Sequence, residues 1–373
     1  MDIQQKIFFS LVKSGLWESD VYLPSCEEND YREVFKLASE QSVIGIVTAG
    51  LEHAHSSNIL KENLLLFIGA TFQIEKRNKE LNNFIREITN KMEASCISSL
   101  IVKGQGIAQC YERPLWRSSG DVDFLFDENN FLKARDFFRP LVTSYDPDDD
   151  YSRHLSGTVG EWDIELHGNQ RTMLSLKIDE VIDDIQEKAI ENRRYRVWQN
   201  EQTNVLLPNP DDDVIYVFTH YLKHFFKGGI GLRQICDWCR LLYTYKDSIN
   251  YELLESRIRK MGLLTEWKAF GAFAVDYLGM PSEAMPLYAP DKKWSRKGDR
   301  ICAFVMEVGN FGHNRDNGYY AKYPFLIRKT YSFGRRCGDL IRHARIFPLD
   351  SLRFFPYMMY NGIRAALKGI HND

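Results

Sequence analysis

Two short stretches decide the fold: Gly120-Asp121-Val122-Asp123-Phe124-Leu125-Phe126 and Glu161-Trp162-Asp163-Ile164-Glu165-Leu166-His167. The second alternates polar and apolar residues throughout, the period of a half-buried strand, and the first alternates over Asp121 to Phe124. Side chains two apart on a strand share a face. Asp121 and Asp123 therefore stand on one face of the first strand, with Val122 and Phe124 on the other. On the second strand, Asp163, Glu165 and His167 stand together. Parallel carboxylates repel one another unless a cation lies between them. If the strands are neighbours, a third carboxylate joins the pair. Three carboxylates can hold two metal ions about 4 Å apart, an arrangement that serves phosphoryl or nucleotidyl transfer. Mg2+ is the expected cation, because it is hard, prefers oxygen and is usually bound through carboxylates plus substrate phosphates.

Working outward, Ser99-Leu100-Ile101-Val102 is a short β-type run that ends at Lys103-Gly104-Gln105-Gly106. A helix is expected to follow through Ala108 to Tyr111. A glycine turn at a helix start offers open N–H groups and the positive end of the helix, which suits phosphate. Lys103, Arg117 and Ser119 are near in sequence and add charge or hydrogen bonds. Asn129 to Phe138 reads as a helix with Phe131, Ala134 and Phe138 on one side, and Asp146-Pro147-Asp148-Asp149-Asp150 as a surface turn. Toward the N-terminus the pattern is helical: Ile3, Ile7 and Leu11, then Val34, Leu37 and Ala38. A long helix follows over Ile59 to Met92, where Leu81, Ile85, Ile88 and Met92 keep the 3.6-residue period. Beyond Leu207-Pro208-Asn209-Pro210 the chain turns helical again, with Asp211 as the expected N-cap. The expected architecture is α+β. A small mixed β-sheet core over 96–206 lies between an N-terminal helical lobe (1–95) and a C-terminal helical lobe (207–373).

The 373 residues carry 48 Lys plus Arg against 51 Asp plus Glu, a net charge of −3, which argues against a general nucleic-acid coat. With 44% apolar and 27% charged residues, collagen-like, disordered and coiled-coil chains are poor fits. No apolar run approaches the roughly 18 residues that cross a bilayer. The N-terminus lacks the layout of a secretory signal. Seven scattered cysteines, Cys26, Cys96, Cys110, Cys236, Cys239, Cys302 and Cys337, form no disulfide framework, so a reducing cytoplasm is the expected location.

The order of these features is more specific than any one of them, and it resembles the nucleotidyltransferase superfamily typified by DNA polymerase β. More closely, Val102-Lys103-Gly104, then Arg117-Ser118-Ser119-Gly120-Asp121-Val122-Asp123, then Ile164-Glu165-Leu166-His167 resembles a bacterial family of largely uncharacterised nucleotidyltransferases. The resemblance is strongest over residues 100–240. It implies a nucleotidyltransferase core with catalytic and metal-ligating Asp121, Asp123 and Glu165, two Mg2+ ions and an NTP such as ATP as substrate. Asp163 stays an alternative third carboxylate, since it shares the face. The implied nucleotide contacts are Lys103, Gly104, Gly106, Arg117, Ser119 and Lys223. The superfamily places Gly or Ser after the first glycine of the turn. This chain has Gln105, so Ser118 or Ser119 is the candidate replacement.

His220, Lys223 and His224 fall on one helical face at i, i+3 and i+4. That face is either a polar stripe between lobes or, by the family reading, the lining of the nucleotide or acceptor side with Lys223 toward phosphate. Arg233 and Asp237, at i and i+4, are an expected ion pair. Cys236 and Cys239 have no second cysteine pair to complete a metal site. Between Lys322 and Lys368, ten basic residues face only Asp339 and Asp350, with aromatics interleaved. This stretch is either a lobe whose aromatics are core or a contact for an anionic surface or glycan. The implied reaction is transfer of a nucleoside monophosphate from an NTP to a hydroxyl or phosphate acceptor, with Glu165 also the candidate general base. A non-catalytic nucleotide- or partner-binding module and a protein-adenylylating enzyme are the two alternatives.

Overall fold

The computed structural model describes residues 1–24, 28–55, 59–145, 153–310 and 325–367. The expected acidic turn at 146–150 lies outside the described residues, as do Lys322, Tyr323 and Lys368 of the basic stretch. The chain opens with α1 (Ile3–Trp17), β1 (Val21–Tyr22), α2 (Glu28–Glu40), α3 (Ile44–Glu52) and β2 (Ala54–His55). Asp2 caps α1 by accepting from Gln5 N, and Glu18 closes it in the left-handed conformation. Helices α1 and α3 touch through glycine. A Cβ on Gly15 would overlap the Ile46 carbonyl oxygen, and one on Gly50 would overlap that of Leu11. Gly15→Ala or Gly50→Ala is therefore expected to force the helices apart and cost about 1–3 kcal/mol or more, read by urea unfolding. An unchanged midpoint would show that the crossing relaxes freely.

Helix α4 (Lys61–Ala94) spans 34 residues, about 50 Å. Its first half adds Phe67 to the main helical core, and its second half lays Leu81, Ile85, Ile88 and Met92 against the sheet. It thus bridges the two apolar clusters. The sheet region contains β3 (Leu100–Val102), α5 (Gly104–Ala108), β4 (Val122–Leu125), α6 (Glu128–Phe138), β5 (Ser144–Tyr145), β6 (His154–Val159) and β7 (Trp162–His167). The five strands are ordered β3-β4-β7-β6-β5. β4 and β7 run parallel with Asp123 opposite Glu165, while β3 pairs with β4, and β6 with β7, antiparallel. The neighbouring strands on which the third carboxylate depends are thus present. β6 was not expected. It reaches β7 through a two-residue loop, Gly160-Glu161, in which Gly160 takes φ +63°, the device of a tight hairpin.

Next come α7 (Leu176–Glu191), the hairpin β8 (Tyr195–Asn200) and β9 (Thr203–Pro208), α8 (Pro210–Lys227), α9 (Leu232–Thr244), α10 (Tyr251–Met261), α11 (Leu264–Leu278) and α12 (Lys292–Val308). Helix α8 begins two residues earlier than expected. Asn209 is the N-cap and Pro210 takes the first turn, where its missing N–H costs nothing. Asp211 instead accepts from Asn250 N at 2.7 Å. Two further helices, α13 (Phe325–Ala344) and α14 (Pro348–Leu367), close the described chain.

Helices from both ends of the sequence share one apolar cluster, from Ile7, Phe8 and Leu11 of α1 to Trp267 and Phe270 of α11. Lys13 Nζ and Trp17 Nε1 donate to Asp276 and Leu278 carbonyls, fixing the contact. Phe347 and Phe354 of the basic stretch are fully buried in the same cluster, and Arg353 donates to the Met261 carbonyl at the end of α10. Among the described residues, no helix is long and apolar enough to cross a membrane.

Candidate active site

Three adjacent strands, β4, β7 and β6, present their polar positions on one face of the sheet. Val122, Phe124, Ile164 and Leu166 are buried on the other. Opposing faces follow from the period of two, so this apolar packing is what leaves the carboxylates pointing into the cleft. The ligand oxygens of Asp121, Asp123 and Glu165 lie within 4.8 Å of one another. Asp163, on the same face of β7, is exposed and accepts from Thr158 Oγ1 at 2.9 Å. The sheet therefore brings Glu165, and not Asp163, to the pair.

The three acids stand in different surroundings. Asp123 is buried, and its Oδ1 accepts from Lys103 Nζ at 2.6 Å and from His167 Nε2 at 2.8 Å. Burial pushes the Glu165 carboxyl up, but hydrogen bonds from His154 and His167, with the charge of His167 and Lys103, more than reverse this. Glu165 is held well below the usual carboxylate range. Asp121 sits at the exposed edge. Crowding by protein, then the Asp123 and Glu165 charges, push its carboxyl up to about 7. A hard divalent ion suits this donor set: three carboxylates with one already forced toward protonation for want of positive charge. Because a ligand must be deprotonated, divalent-ion affinity is expected to climb as pH rises toward 7 and to level off above it. Titration calorimetry at pH 6 and pH 8 should find roughly tenfold tighter binding at pH 8. Equal affinities would mean that Asp121 is ionised throughout.

Lys103 precedes the one-turn helix α5 and adopts φ +60°, ψ −148°, a conformation that favours glycine. Such strain, about 1–3 kcal/mol, is typical of functional positions. Burial disfavours its charge, but Asp123, Glu165 and Asp121 outweigh burial and raise its pKa. Its Nζ also lies 3.2 Å from His220 Nδ1. Burial, then the charge of Lys103, depresses Lys223, and the same causes hold His220 well below its usual value. His224 is lowered to about 3 by burial and Lys223. The α8 face expected from sequence thus stands beside the carboxylate group, with His220 against Lys103.

The glycine turn differs from expectation at both ends: α5 starts at Gly104, so Gly104, Gln105 and Gly106 form its first turn, and it ends at Ala108 rather than reaching Tyr111. Gly104 (φ +42°) lies beside the Asp121 carbonyl, whereas a Cβ on buried Gly106 would meet Leu207. Gly106 thus packs closely against Leu207. Ser119 is half-buried on the strand approach to Asp121.

Arg117 does not face the cleft. It is 4% exposed and makes a two-point contact with Asp237, Nε–Oδ1 and Nη2–Oδ2 both at 2.7 Å. Tyr111 Oη also donates to Asp237, at 2.8 Å. The expected Arg233–Asp237 pair is therefore replaced: Asp237 serves Arg117 and Tyr111, and Arg233 donates to the Ser118 carbonyl at 2.8 Å. Asn78 of α4 donates to the carbonyls of Leu115 and Arg117. These bonds fix the 112–120 loop that delivers Asp121. Cys236 and Cys239 are buried, and burial raises both thiols, which disfavours the reactive thiolate.

One residue at the site escaped the sequence. His154 is directly opposite His167 across β6 and β7. The short Gly160-Glu161 connection between alternating runs was the signal that could have placed it. His167 was read as sharing a face, but its contacts to both Asp123 and Glu165 appear only in three dimensions.

No curated protein and no solved structure matches the chain. One family model does, over residues 27–279, and that span takes in α2 through α11 with the whole carboxylate site. The chain belongs to this family, described as uncharacterised nucleotidyltransferase.

Proposed function

We propose that the protein transfers a nucleoside monophosphate from an NTP to a hydroxyl or phosphate acceptor and releases pyrophosphate. Asp121, Asp123 and Glu165 would hold the divalent ions, two Mg2+, that this reaction uses. The observation that carries the reading is the convergence of these three carboxylates within 4.8 Å, in a chain of nucleotidyltransferase family. When bound, the ions would neutralise triphosphate charge and lower the pKa of the acceptor hydroxyl.

The chain's own groups divide the remaining work. Lys103 stays charged and would meet phosphate once its hold on Asp123 is shared. Lys223 adds a second cation from α8, with Gly104 and Ser119 at the rim. An ammonium group can only donate, so His220 Nδ1 accepts from Lys103 and Nε2 carries the hydrogen. His220 is then a donor toward the cleft rather than a base. Glu165 is a poor general base, because two imidazoles already hold it ionised. The anionic surface contact expected of 322–368 belongs to the same reading and rests on local charge alone.

Thermal melting with ATP, GTP, CTP and UTP, with and without Mg2+, tests the proposal. A nucleotide at about 100 times its Kd adds about 2.7 kcal/mol to stability. The expected result is a Mg2+-dependent rise with at least one NTP, followed by pyrophosphate release once an acceptor is supplied. Absence of a rise with all four would sink the proposal. Binding without turnover across acceptor classes would favour the non-catalytic module.

A further inference from the structure

The acidic group has a neighbour of different composition. His154, Glu165 and His167 place their ligand atoms within 4.8 Å of one another. His154 Nε2 and His167 Nε2 each lie 3.2 Å from the same atom, Glu165 Oε2. The rings stand side by side, centroids 4.8 Å apart, because the residues are opposed across β6 and β7.

Hydrogen bonding alone accounts poorly for this convergence. One carboxylate oxygen would accept from both rings. The single Nε2–H of His167 would also be divided between Glu165 and Asp123, whose Oδ1 is 2.8 Å away. Ion binding removes the conflict. Nitrogen and oxygen ligands sit about 2.0–2.2 Å from a first-row divalent ion, so neighbouring donors stand about 3.0–3.5 Å apart. The two 3.2 Å separations fall in that range.

We propose that His154, His167 and Glu165 bind a divalent transition ion of the Zn2+ or Co2+ class. Two imidazoles and one carboxylate select such ions over Mg2+, which prefers oxygen. The side chains of His154 and Glu165 are 34% and 29% exposed, so the ion keeps open positions toward the cleft, unlike a closed structural site. Glu165 is common to this site and the all-oxygen group. With Mg2+ on that group, the two kinds of ion would share this one ligand. Only this last point rests on the transferase reading, and ion binding stands without it.

Tag-free full-length protein titrated with Co2+ provides the test, read as visible ligand-field absorption. One equivalent is expected to develop the bands, and millimolar Mg2+ should leave them in place. Asp121→Asn should keep the bands. His154→Ala should weaken Co2+ binding by at least about tenfold. His154→Gln keeps a polar side chain of similar size, and a wild-type melting curve for that variant shows that any loss is not unfolding. No bands in the wild type, bands displaced by Mg2+, or binding unchanged in both His154 variants would overturn the proposal. If Co2+ binds as expected while no NTP is bound or turned over, the transferase reading fails and this site stands. Transfer with Mg2+ but no Co2+ site gives the reverse.

Discussion

Asp121→Asn is expected to abolish nucleotidyl transfer while leaving the metal-free protein slightly more stable. The loss in kcat should be about 10³-fold or more, because one of three charged oxygen ligands is removed from a site built to gather positive charge. The gain in stability has the opposite origin. The Asp121 carboxyl is pushed from its ordinary 3.8 up to about 7, so ionising it in the folded protein is unfavourable. The folded state binds the proton more tightly than the unfolded one, and stability falls as pH rises through that window. The amide cannot ionise. Its melting temperature should match the wild type near pH 4 and exceed it at pH 8. The excess should be small, since the residue opens to solvent, which screens the repulsion. Melting curves at the two pH values, beside an activity assay, read both effects. Full activity would remove Asp121 from the site. Lower stability at pH 8 would show that it serves Lys103 or Arg233 more than it strains against its neighbours.

Asp237→Ala is expected to produce the largest loss of stability, about 3–5 kcal/mol, because it strands a buried guanidinium. Arg117 and Asp237 are only 4% and 8% exposed at the side chain. Tyr111 loses its acceptor as well. Arg117→Met/Asp237→Leu removes both charges, leaves neither stranded, and should recover most of the loss in chemical denaturation. The double variant also separates two roles for Arg117. The structure has it holding the loop before Asp121, so NTP affinity should survive within a few-fold. A collapse of NTP affinity in a well-folded double variant would return Arg117 to the phosphate contacts expected from sequence. No recovery in the double variant would mean that Tyr111 or backbone contacts dominate the site.

Much of the acidic face was legible because its signal is local. Alternation along 121–124 and 161–167 reports which side of each strand packs on the apolar core, and the structure gathers Asp121, Asp123 and Glu165 on the other side. The same holds for Leu81, Ile85, Ile88 and Met92 of α4, whose spacing follows one helical face. Asp211 and Arg233 show where local reasoning fails. Each was given a plausible near neighbour, and each found another partner: Asn250 for Asp211, and the Ser118 carbonyl for Arg233.

By itself, the sequence determined which residues could share a strand face, which segments were helical and which acids could be gathered. These follow from the period of the backbone and the burial of apolar side chains, and need only a few consecutive residues. Tertiary structure decided the partners. Asp237 is bound to Arg117 across a separation of 120 residues, and Lys103 meets His220 across 117. It also decided between Glu165 and Asp163, by setting Glu165 opposite Asp123 and turning Asp163 to Thr158. Periodicity says which way a side chain points. Only the packing of distant elements says what it meets there.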